Sequence, residues 1–211
     1  MTQIYFPPFY EDLLKILRSI TPLSEDALEL IRPYVSFRTL HSGEKIQHPN
    51  EVCRKVFAVK SGILRNYMSD HSNEITRWFA VEGDVFTSMM SFWDNSPSPA
   101  CIEAVTKCEI WEIDTDHARE ALKTSQEWRD WLLKMIMEGI ALQEKRDYRF
   151  ISTDAYTRFK NMADYRTKEF LNQIPMSIMA SYLRCSPRTL SRCRKKYVKE
   201  DTNDNQQNNN N

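Results

Sequence analysis

The sequence predicts an α+β chain, in which a β-barrel or sandwich precedes a long helix and a small helical domain. Three observations predict this class. Between residues 34 and 114, short apolar runs rich in β-branched and aromatic residues alternate with turn residues. Residues 124–150 carry a long helical pattern. The segment 174–199 has the pattern of two short helices joined by a tight turn, which predicts a helix-turn-helix.

Composition narrows the possible functions. The 211 residues carry a formal net charge of zero, so any contact with nucleic acid must come from a local basic segment. The five cysteines form no Cys-x-x-Cys pair, which disfavours a disulfide framework or a closed zinc site. The sequence has no signal-peptide pattern and no apolar run of about 20 residues. We expect a cytoplasmic protein with no metal and no cofactor.

The first elements are predicted to be two short helices, at 9–18 and 24–32, that precede the strands. Ser24, followed by Glu25 and Asp26, supplies a capped and acidic start for the second helix. Glycines lie at the breaks between strands, as turn residues should. They are Gly43, Gly62 and Gly83.

The helix at 124–150 carries a wide apolar face. A small barrel would not cover a helix of this length, so we predict a homodimer along it. The alternative is that the helix packs on its own barrel. The predicted dimer residues are Trp128, Trp131, Leu132, Met135, Ile136 and Leu142.

The last predicted helix begins at Ser186 and Pro187, a hydroxyl cap followed by a residue that suits the first helical position. Leu190, Cys193 and Tyr197 form one apolar stripe. Many of the remaining positions are basic, which is consistent with either a DNA-reading helix or a solvated face. Because the basic residues near the helix start lie off the stripe, we favour DNA reading.

The order of these parts resembles the Crp/Fnr family of bacterial transcription regulators. The resemblance is strongest in the segment MASYLRCSPRTLSRCRKK, which is similar to the family's pattern IAxxLGxSxxTLSRxxKK. It continues through VFAVKSGILRNYMS and FAVEGDV. It implies a double-stranded β-helix or jelly-roll sensor barrel at 1–123, a dimerisation helix at 124–150 and a helix-turn-helix domain at 151–200.

The resemblance also implies DNA contacts for individual residues. Arg188 and Arg192 would reach base edges from a helix that starts at Pro187. Ser186, Thr189 and Lys195 would contact the DNA backbone. Arg184 stands where the family usually has glycine in the turn, and a left-handed conformation there would cost about 1 kcal/mol.

The effector pocket that the resemblance implies would include Gly83, Thr87, Ser88, Ser98 and Ala100. Ser88 and Ser98 fall where cyclic-nucleotide binders have a ribose-binding Glu and a phosphate-binding Arg. Because a buried phosphate needs a cation, we predict no tight binding of cyclic AMP or cyclic GMP.

Nearby aromatic residues either form pocket walls or fill the barrel, and we favour barrel filling. They are Trp78, Phe79, Phe92 and Trp93. Cys185 lies beside arginines, which makes it the cysteine in this segment for which a redox role is conceivable.

The function predicted from the sequence is a homodimeric, sequence-specific transcription regulator and not an enzyme. Its partners would be double-stranded DNA with a near-palindromic operator, RNA polymerase and an unknown small-molecule effector, with no membrane. The alternative is a sensor module whose helical domain contacts a protein. Residues 201–211 are polar and low in complexity, and they are predicted to be a disordered tail.

Overall fold

The computed structural model describes residues 10–70, 73–151 and 154–208. The chain divides into two compact units. The first contains the described residues up to Met68 together with Trp78–Ala141, and the second contains Ser69–Arg77 and the chain from Leu142 onward. The long helix α5 and the strand β5 therefore each contribute residues to both units.

The first unit begins with α1 (Tyr10–Ile20) and α2 (Glu25–Glu29), and a single 3₁₀ turn follows at Arg32–Tyr34. The strands are β1 (Ser36–Leu40), β2 (Lys45–Gln47), β3 (Lys55–Ser61), β4 (Leu64–Asp70), β5 (Asn73–Ala80), β6 (Val85–Phe86), β7 (Cys101–Ala104) and β8 (Cys108–Asp114). The helices α3 (Met89–Asp94), α4 (Thr115–Thr124) and α5 (Gln126–Ile151) complete the elements up to residue 151.

The strands form two four-stranded sheets, in the orders β1-β8-β3-β6 and β2-β7-β4-β5. Side chains from both sheets meet in a buried core that includes Val59, Ile110, Leu64 and Ile102. This arrangement confirms the predicted N-terminal barrel. The chain reverses between β3 and β4 at Gly62, whose φ of +93° suits glycine.

The first sheet also has a buried outer face. Since side chains alternate across a strand, Val59 points into the barrel while Ala58 points the other way. Ala58 and Trp111 join a second core formed with α1, α2, α4 and the first turns of α5. The sheet is therefore covered on both sides.

The start of α5 is packed within its own chain. The indole nitrogens of Trp128 and Trp131 donate to the carbonyl oxygens of Ala27 and Leu17, each at 2.8 Å. Leu132 and Met135 pack against the same core. Trp128 and Trp131 are therefore packed within their own chain, which agrees with the alternative for these two residues. Leu132 and Met135 are only half-buried, and the dimer contact predicted for this set stays a prediction.

A carboxylate joins the same two elements. Glu127 accepts hydrogen bonds from the Ser24 amide at 2.7 Å and from the Ser24 hydroxyl at 2.8 Å. These two bonds lower the pKa of Glu127. Ser24 also caps α2, as predicted, by accepting a hydrogen bond from the Ala27 amide at 3.2 Å.

The second unit contains α6 (Ala155–Tyr165), α7 (Lys168–Gln173), α8 (Met176–Tyr182) and α9 (Pro187–Asn208). The sequence predicted one helix from 154 to about 171, but the chain breaks at Arg166, which is extended. Thr167 starts α7 by accepting a hydrogen bond from the Phe170 amide at 3.2 Å. A side-chain cap of this kind favours a new helix over continuation.

Two further features of this unit were not predicted. The helix α9 continues to Asn208, beyond the predicted boundary at 200, whereas residues 209–211 lie outside the described residues. In addition, Ser181 of α8 donates to the Glu74 carbonyl oxygen and accepts from the Thr76 amide at 2.8 Å, so this part of β5 packs on the helical domain. Among the described helices, none is long and apolar enough to cross a membrane.

The turn at Gly62 gives a test of the barrel. A Cβ at this position would lie 2.4 Å from the Lys107 carbonyl oxygen, and φ is unfavourable for an L side chain. We expect Gly62→Ala to lower the free energy of unfolding by about 3 kcal/mol in urea titrations. Gly43→Ala is the control, because its φ is +84° but nothing lies within 4 Å of the added methyl. Equal losses in the two variants would show that the close approach is unimportant.

Candidate nucleic-acid interface

The turn between α8 and α9 has a well-defined hydrogen-bonding pattern. The Cys185 amide donates to the Ala180 carbonyl at 3.0 Å, and the Arg184 amide donates to the Ser181 carbonyl at 3.2 Å. Together with the left-handed conformation of Arg184, at φ +50°, these bonds form a Schellman motif. The predicted departure from glycine is therefore accommodated by a strained arginine, and the helix-turn-helix connection is retained.

Two arginines support this turn. Arg158 of α6 donates from Nε to the Leu183 carbonyl at 2.9 Å, which satisfies a carbonyl at the end of α8. The Arg184 guanidinium lies 5.7 Å from the centre of the Phe150 ring. The cationic contact partly offsets the conformational cost of a non-glycine residue at this position.

Ser186 caps α9 as predicted. Its hydroxyl accepts a hydrogen bond from the Thr189 amide at 3.0 Å and lies 2.9 Å from the Thr189 hydroxyl. The next residue, Pro187, is the first of the helix. The capping bond orients both hydroxyls at the exposed start of α9.

One face of α9 is buried. Leu190 is fully buried, Cys193 is 7% exposed, and the Tyr197 ring meets Phe159 of α6 edge to face at 5.7 Å. Through this face α9 packs on α6 and α8. The apolar stripe predicted from the sequence is confirmed, and it fixes the rotation of the helix about its own axis.

The opposite face of α9 carries four exposed cations: Arg188, Arg192, Lys195 and Lys199. They are spaced at i, i+4, i+7 and i+11, so at 3.6 residues per turn they form one stripe about 16 Å long. None of the four has an ion pair or side-chain hydrogen bond within the part of the chain that the structure describes. We refer to these four residues as the cationic stripe.

The other basic residues of α9 are engaged elsewhere. Arg194 turns inward and donates to the Leu171 carbonyl at 2.7 Å, and burial lowers its pKa. Lys196 lies 4.0 Å from the centre of the Tyr156 ring and 3.8 Å from Glu200. The sequence alone did not separate these two residues from the stripe. Lys199 was not among the DNA contacts predicted from the sequence, although its spacing of i+11 from Arg188 places it on the same face of the helix.

A second exposed stripe lies on α5. Leu133, Met137 and Ile140 are 58%, 62% and 56% exposed, and their spacing of i, i+4 and i+7 places them on one face. Of the residues predicted for a dimer, Ile136 is half-buried and Leu142 is 67% exposed. The apolar surface of α5 that remains uncovered is therefore different from most of the predicted set.

The residues of the predicted effector pocket are uncharged, and most of them make hydrogen bonds that stabilise the surrounding fold. Ser88 caps α3, and Thr87 donates to the Lys55 carbonyl at 2.8 Å. Ser98 is 5% exposed, its backbone pairs with Glu51, and its hydroxyl accepts from the Ala100 amide at 3.3 Å. Gly83 is a turn residue with φ of +91°.

The arginine beside α3 is not free to bind an anion. Arg119 donates to the Phe92 carbonyl at 2.7 Å, to the Ser91 carbonyl at 3.0 Å and to Asp116 at 2.7 Å. Its positive charge is therefore directed at the carbonyl end of α3 and at a carboxylate.

The nearby aromatic residues are mostly core. Phe79 and Phe92 are buried, and Trp78 packs edge to face on Phe86 at 5.3 Å. Trp93 is 82% exposed and belongs neither to the core nor to a pocket wall. The prediction of barrel filling is therefore confirmed for Trp78, which packs against the barrel core, whereas Phe79 and Phe92 are buried outside that core and Trp93 contradicts the prediction.

The cysteine environment does not favour thiolate chemistry. Burial raises the pKa of the Cys185 thiol, and Arg158 opposes this only in part. The redox role that the sequence left open for Cys185 is therefore disfavoured, because desolvation disfavours the charged form of the thiol.

Comparison with known proteins places the fold. Residues 37–125 match the cyclic nucleotide-binding domain. Comparison with curated protein sequences gave no significant match. The matched residues run from β1 to the end of α4 and hence include the strands of the barrel.

Solved structures extend the likeness to most of the chain. FixK2 from Bradyrhizobium japonicum is 16% identical, with a TM-score of 0.68, 79% of this chain and 86% of that chain covered. CLP from Xanthomonas campestris, described as a c-di-GMP-responsive global regulator, is 15% identical, with a TM-score of 0.67 and 84% and 93% covered. A protein from Eubacterium rectale assigned to the crp/fnr family of transcriptional regulators is 17% identical, with a TM-score of 0.68 and 92% and 88% covered.

These likenesses show the fold. The chain shares with these three structures a domain that matches the cyclic nucleotide-binding domain, followed by a long helix and a helical domain. The predicted fold class is therefore confirmed.

The turn provides a stability test. We expect Arg184→Gly to raise the free energy of unfolding by somewhat less than about 1 kcal/mol, since relief of the left-handed strain exceeds the lost contact with Phe150. Arg184→Ala is the control, because it loses the same contact but keeps an L side chain at positive φ, and it should destabilise. Urea unfolding of the three proteins measures both effects. A glycine variant less stable than the alanine variant would contradict a strained turn.

Proposed function

We propose that this protein is a homodimeric, sequence-specific DNA-binding transcription regulator that reads its operator with α9. The observation that carries the proposal is the cationic stripe. Four cations, none of them with an ion pair or side-chain hydrogen bond among the described residues, lie on one exposed face of a helix whose opposite face is packed into the domain core. A solvated helix of ordinary composition would intersperse acids with these cations, yet no acidic residue occurs between Ser186 and Lys199.

The stripe divides naturally into two parts. Arg188 and Arg192 lie in the first turns of α9, where a groove-entering helix carries its base-reading residues. A guanidinium donates two hydrogen bonds to O6 and N7 of guanine, which suits arginine for base recognition. Lys195 and Lys199 are compact ammonium groups farther along and suit phosphate contacts.

The start of α9 adds further backbone contacts. Ser186, Pro187 and Thr189 are at the exposed or half-exposed entrance of the helix. Phosphate oxygens are favoured there because the first amides of a helix and its dipole attract negative charge. We assign the two hydroxyls to the DNA backbone, where they would fix the register without reading sequence.

Dimerisation is proposed along α5 through Leu133, Met137 and Ile140. Three large apolar side chains on one face, each more than half exposed, match the period of a helix-to-helix seam. A dimer would present two copies of α9 about 34 Å apart, one turn of DNA, and would require a near-palindromic operator. We propose a cytoplasmic location for this regulator, which the free cysteines and a chromosomal DNA target support.

The effector pocket is proposed to be degenerate. The predicted pocket positions carry no positive charge, and Arg119 is engaged by carbonyl oxygens and Asp116. A cyclic phosphate buried among these groups would lack a counter-charge. We therefore expect that DNA binding is controlled by a ligand other than a cyclic nucleotide, or that it is not controlled by a ligand.

DNA reading is tested by selecting bound sequences from random duplexes with the purified protein. We expect two inverted half-sites. Arg188→Ala and Arg192→Ala should each weaken binding to the selected operator by about 10- to 100-fold and relax preference at one base pair. Lys199→Ala should weaken binding to all sequences and reduce the salt slope by about one.

Lys196→Ala is the matched control on the same helix, since this lysine is engaged by Tyr156 and Glu200. Its effect should be several-fold smaller than that of Lys199→Ala. A salt slope near zero for the unmodified protein would sink the proposal and favour a protein partner for the helical domain.

The dimer is tested by charge insertion on α5. Met137→Glu and Ile140→Glu should each convert the dimer to a monomer in sedimentation equilibrium, because a carboxylate would be buried without a partner. Glu138→Lys is the control, because it changes charge on the same helix about 100° away from Met137. A monomeric native protein at micromolar concentration, or dimers in all three variants, would refute this seam.

The degenerate pocket is tested with cyclic AMP. We expect millimolar cyclic AMP to leave operator affinity unchanged within about twofold and to give no binding heat in calorimetry, because no cation is available for the phosphate. Stoichiometric binding at micromolar concentration would overturn this part of the proposal.

A further inference from the structure

Three arginines surround one aromatic ring in the second unit. The guanidinium carbons of Arg146, Arg184 and Arg158 lie 5.4, 5.7 and 5.8 Å from the centre of the Phe150 ring. Arg146 and Phe150 lie in the last two turns of α5, Arg158 lies in α6, and Arg184 lies in the turn before α9. We refer to the three arginines as the arginine cluster.

The positive charge of the arginine cluster lacks a matching negative charge. Arg158 donates to the carbonyl oxygens of Leu183 at 2.9 Å and of Arg184 at 3.4 Å. The side chains of Arg146 and Arg184 form no ion pair and no hydrogen bond with the residues that the structure describes. The buried Nε of Arg146 is among these unpaired donors. A cation that is partly removed from water needs a partner, so the cluster favours an anion.

The cations of this region also repel one another. Burial lowers the pKa of Arg146, and the charges of Arg184 and Arg77 lower it further. Tyr182 and Asp147 act in the opposite direction. The like charges around Arg146 are therefore an unfavourable arrangement, which a bound anion would relieve.

Arg184 connects the cluster to the surface. It is exposed, and it precedes the exposed residue Ser186, which caps α9, by two positions in the chain. Two residues span at most about 7 Å. The arginine cluster therefore adjoins the start of the helix that is proposed to enter the DNA groove.

The backbone of Arg184 is a second, independent observation. Its φ of +50° lies in the left-handed region, which glycine adopts at a lower cost. Residues in such conformations cluster at functional sites. A guanidinium that contacts a ligand would explain why arginine occupies a position where glycine would be more stable.

We propose that the arginine cluster binds a phosphate of the DNA backbone beside each half-site, with Arg184 as the direct contact and Arg146 as the second cation. Each DNA strand carries one phosphate per about 3.4 Å of helix axis, so a strand that passes Ser186 brings a further phosphate to Arg184. The inference rests on the proposed DNA binding by α9. It extends the proposed interface from α9 to the end of α5 and adds affinity without base recognition.

Arg184→Gly separates the charge from the fold, because glycine suits the conformation of the turn. We expect this variant to bind the selected operator and unrelated duplexes about 5- to 20-fold more weakly than the native protein. Its salt slope should fall by about one, because one phosphate contact is lost. Arg184→Lys keeps the charge and should keep the slope. Unchanged affinity and slope in Arg184→Gly would refute the contact.

Uncharged methylphosphonates, introduced one at a time into the operator, locate the phosphate. With the native protein, one replacement outside the base pairs read by α9 should weaken binding. With Arg184→Gly, the same replacement should have no further effect, since its partner is already absent. Equal losses with both proteins would place the phosphate on another residue and overturn the assignment.

The second cation is tested by Arg146→Gln, with Lys145→Gln as the matched control. Both variants remove one positive charge from α5, but the exposed Lys145 lies about 100° away around the helix. Arg146→Gln should weaken binding to all duplexes severalfold more than Lys145→Gln. Equal effects would refute the role of Arg146. Urea unfolding confirms that each variant is folded, and the Arg184→Gly result tests the site where Arg146→Gln does not fold.

The failure of this inference is distinguishable from that of the proposed function. Loss of operator binding in Arg188→Ala but not in Arg184→Gly would overturn the arginine cluster alone and leave DNA reading by α9 in place. A native protein without salt-dependent DNA binding would overturn both. Micromolar binding of inorganic phosphate that Arg184→Gly abolishes, with DNA affinity unchanged, would assign the cluster to a small anion and overturn the DNA contact.

Discussion

The exclusion of Leu190 from water is the constraint on which the proposed interface depends. A fully buried side chain near the start of α9 leaves the helix one permitted rotation about its axis. The cationic stripe then faces solvent by geometry alone, because it lies on the side of the helix opposite Leu190. The cationic surface is thus set by apolar packing on α6 and α8, and not by the charges themselves.

The turn before α9 sets the direction of α9 relative to α8. A left-handed residue at Arg184 and a serine cap at Ser186 satisfy the ends of both helices within four residues. Arginine at this position costs more than glycine, but it contributes a contact with Phe150, and Arg158 satisfies the Leu183 carbonyl. The geometry of a glycine turn is therefore reached by a different set of interactions.

In the first unit, the corresponding constraint is the alternation of side chains along β3 and β8. The side chains of Val59 and Ile110 pack in the interior of the barrel. Those of Ala58 and Trp111 pack against the helices that precede and follow the barrel. The same layer holds Trp128 and Trp131, which bind the start of α5 to its own chain. Only from Leu133 onward does α5 expose large apolar side chains on one face, so the surface available to a partner begins one turn later than the apolar pattern suggests.

The sequence by itself determined the class of fold, the position of the helix-turn-helix and the buried stripe of α9, because all three are expressed in local periodicity, caps and turn residues. It also supplied Arg188, Arg192 and Lys195 as candidate DNA contacts, through the resemblance of this segment to a family pattern. Tertiary structure alone decided which cations are engaged within the domain: Arg194 donates to the Leu171 carbonyl and Lys196 lies over the Tyr156 ring, and both partners are more than 20 residues away. It likewise decided that the tryptophans of α5 belong to the protein's own core. Local periodicity shows which positions are apolar or charged. It does not show which distant residues they contact, because those contacts form between segments that are far apart in the sequence.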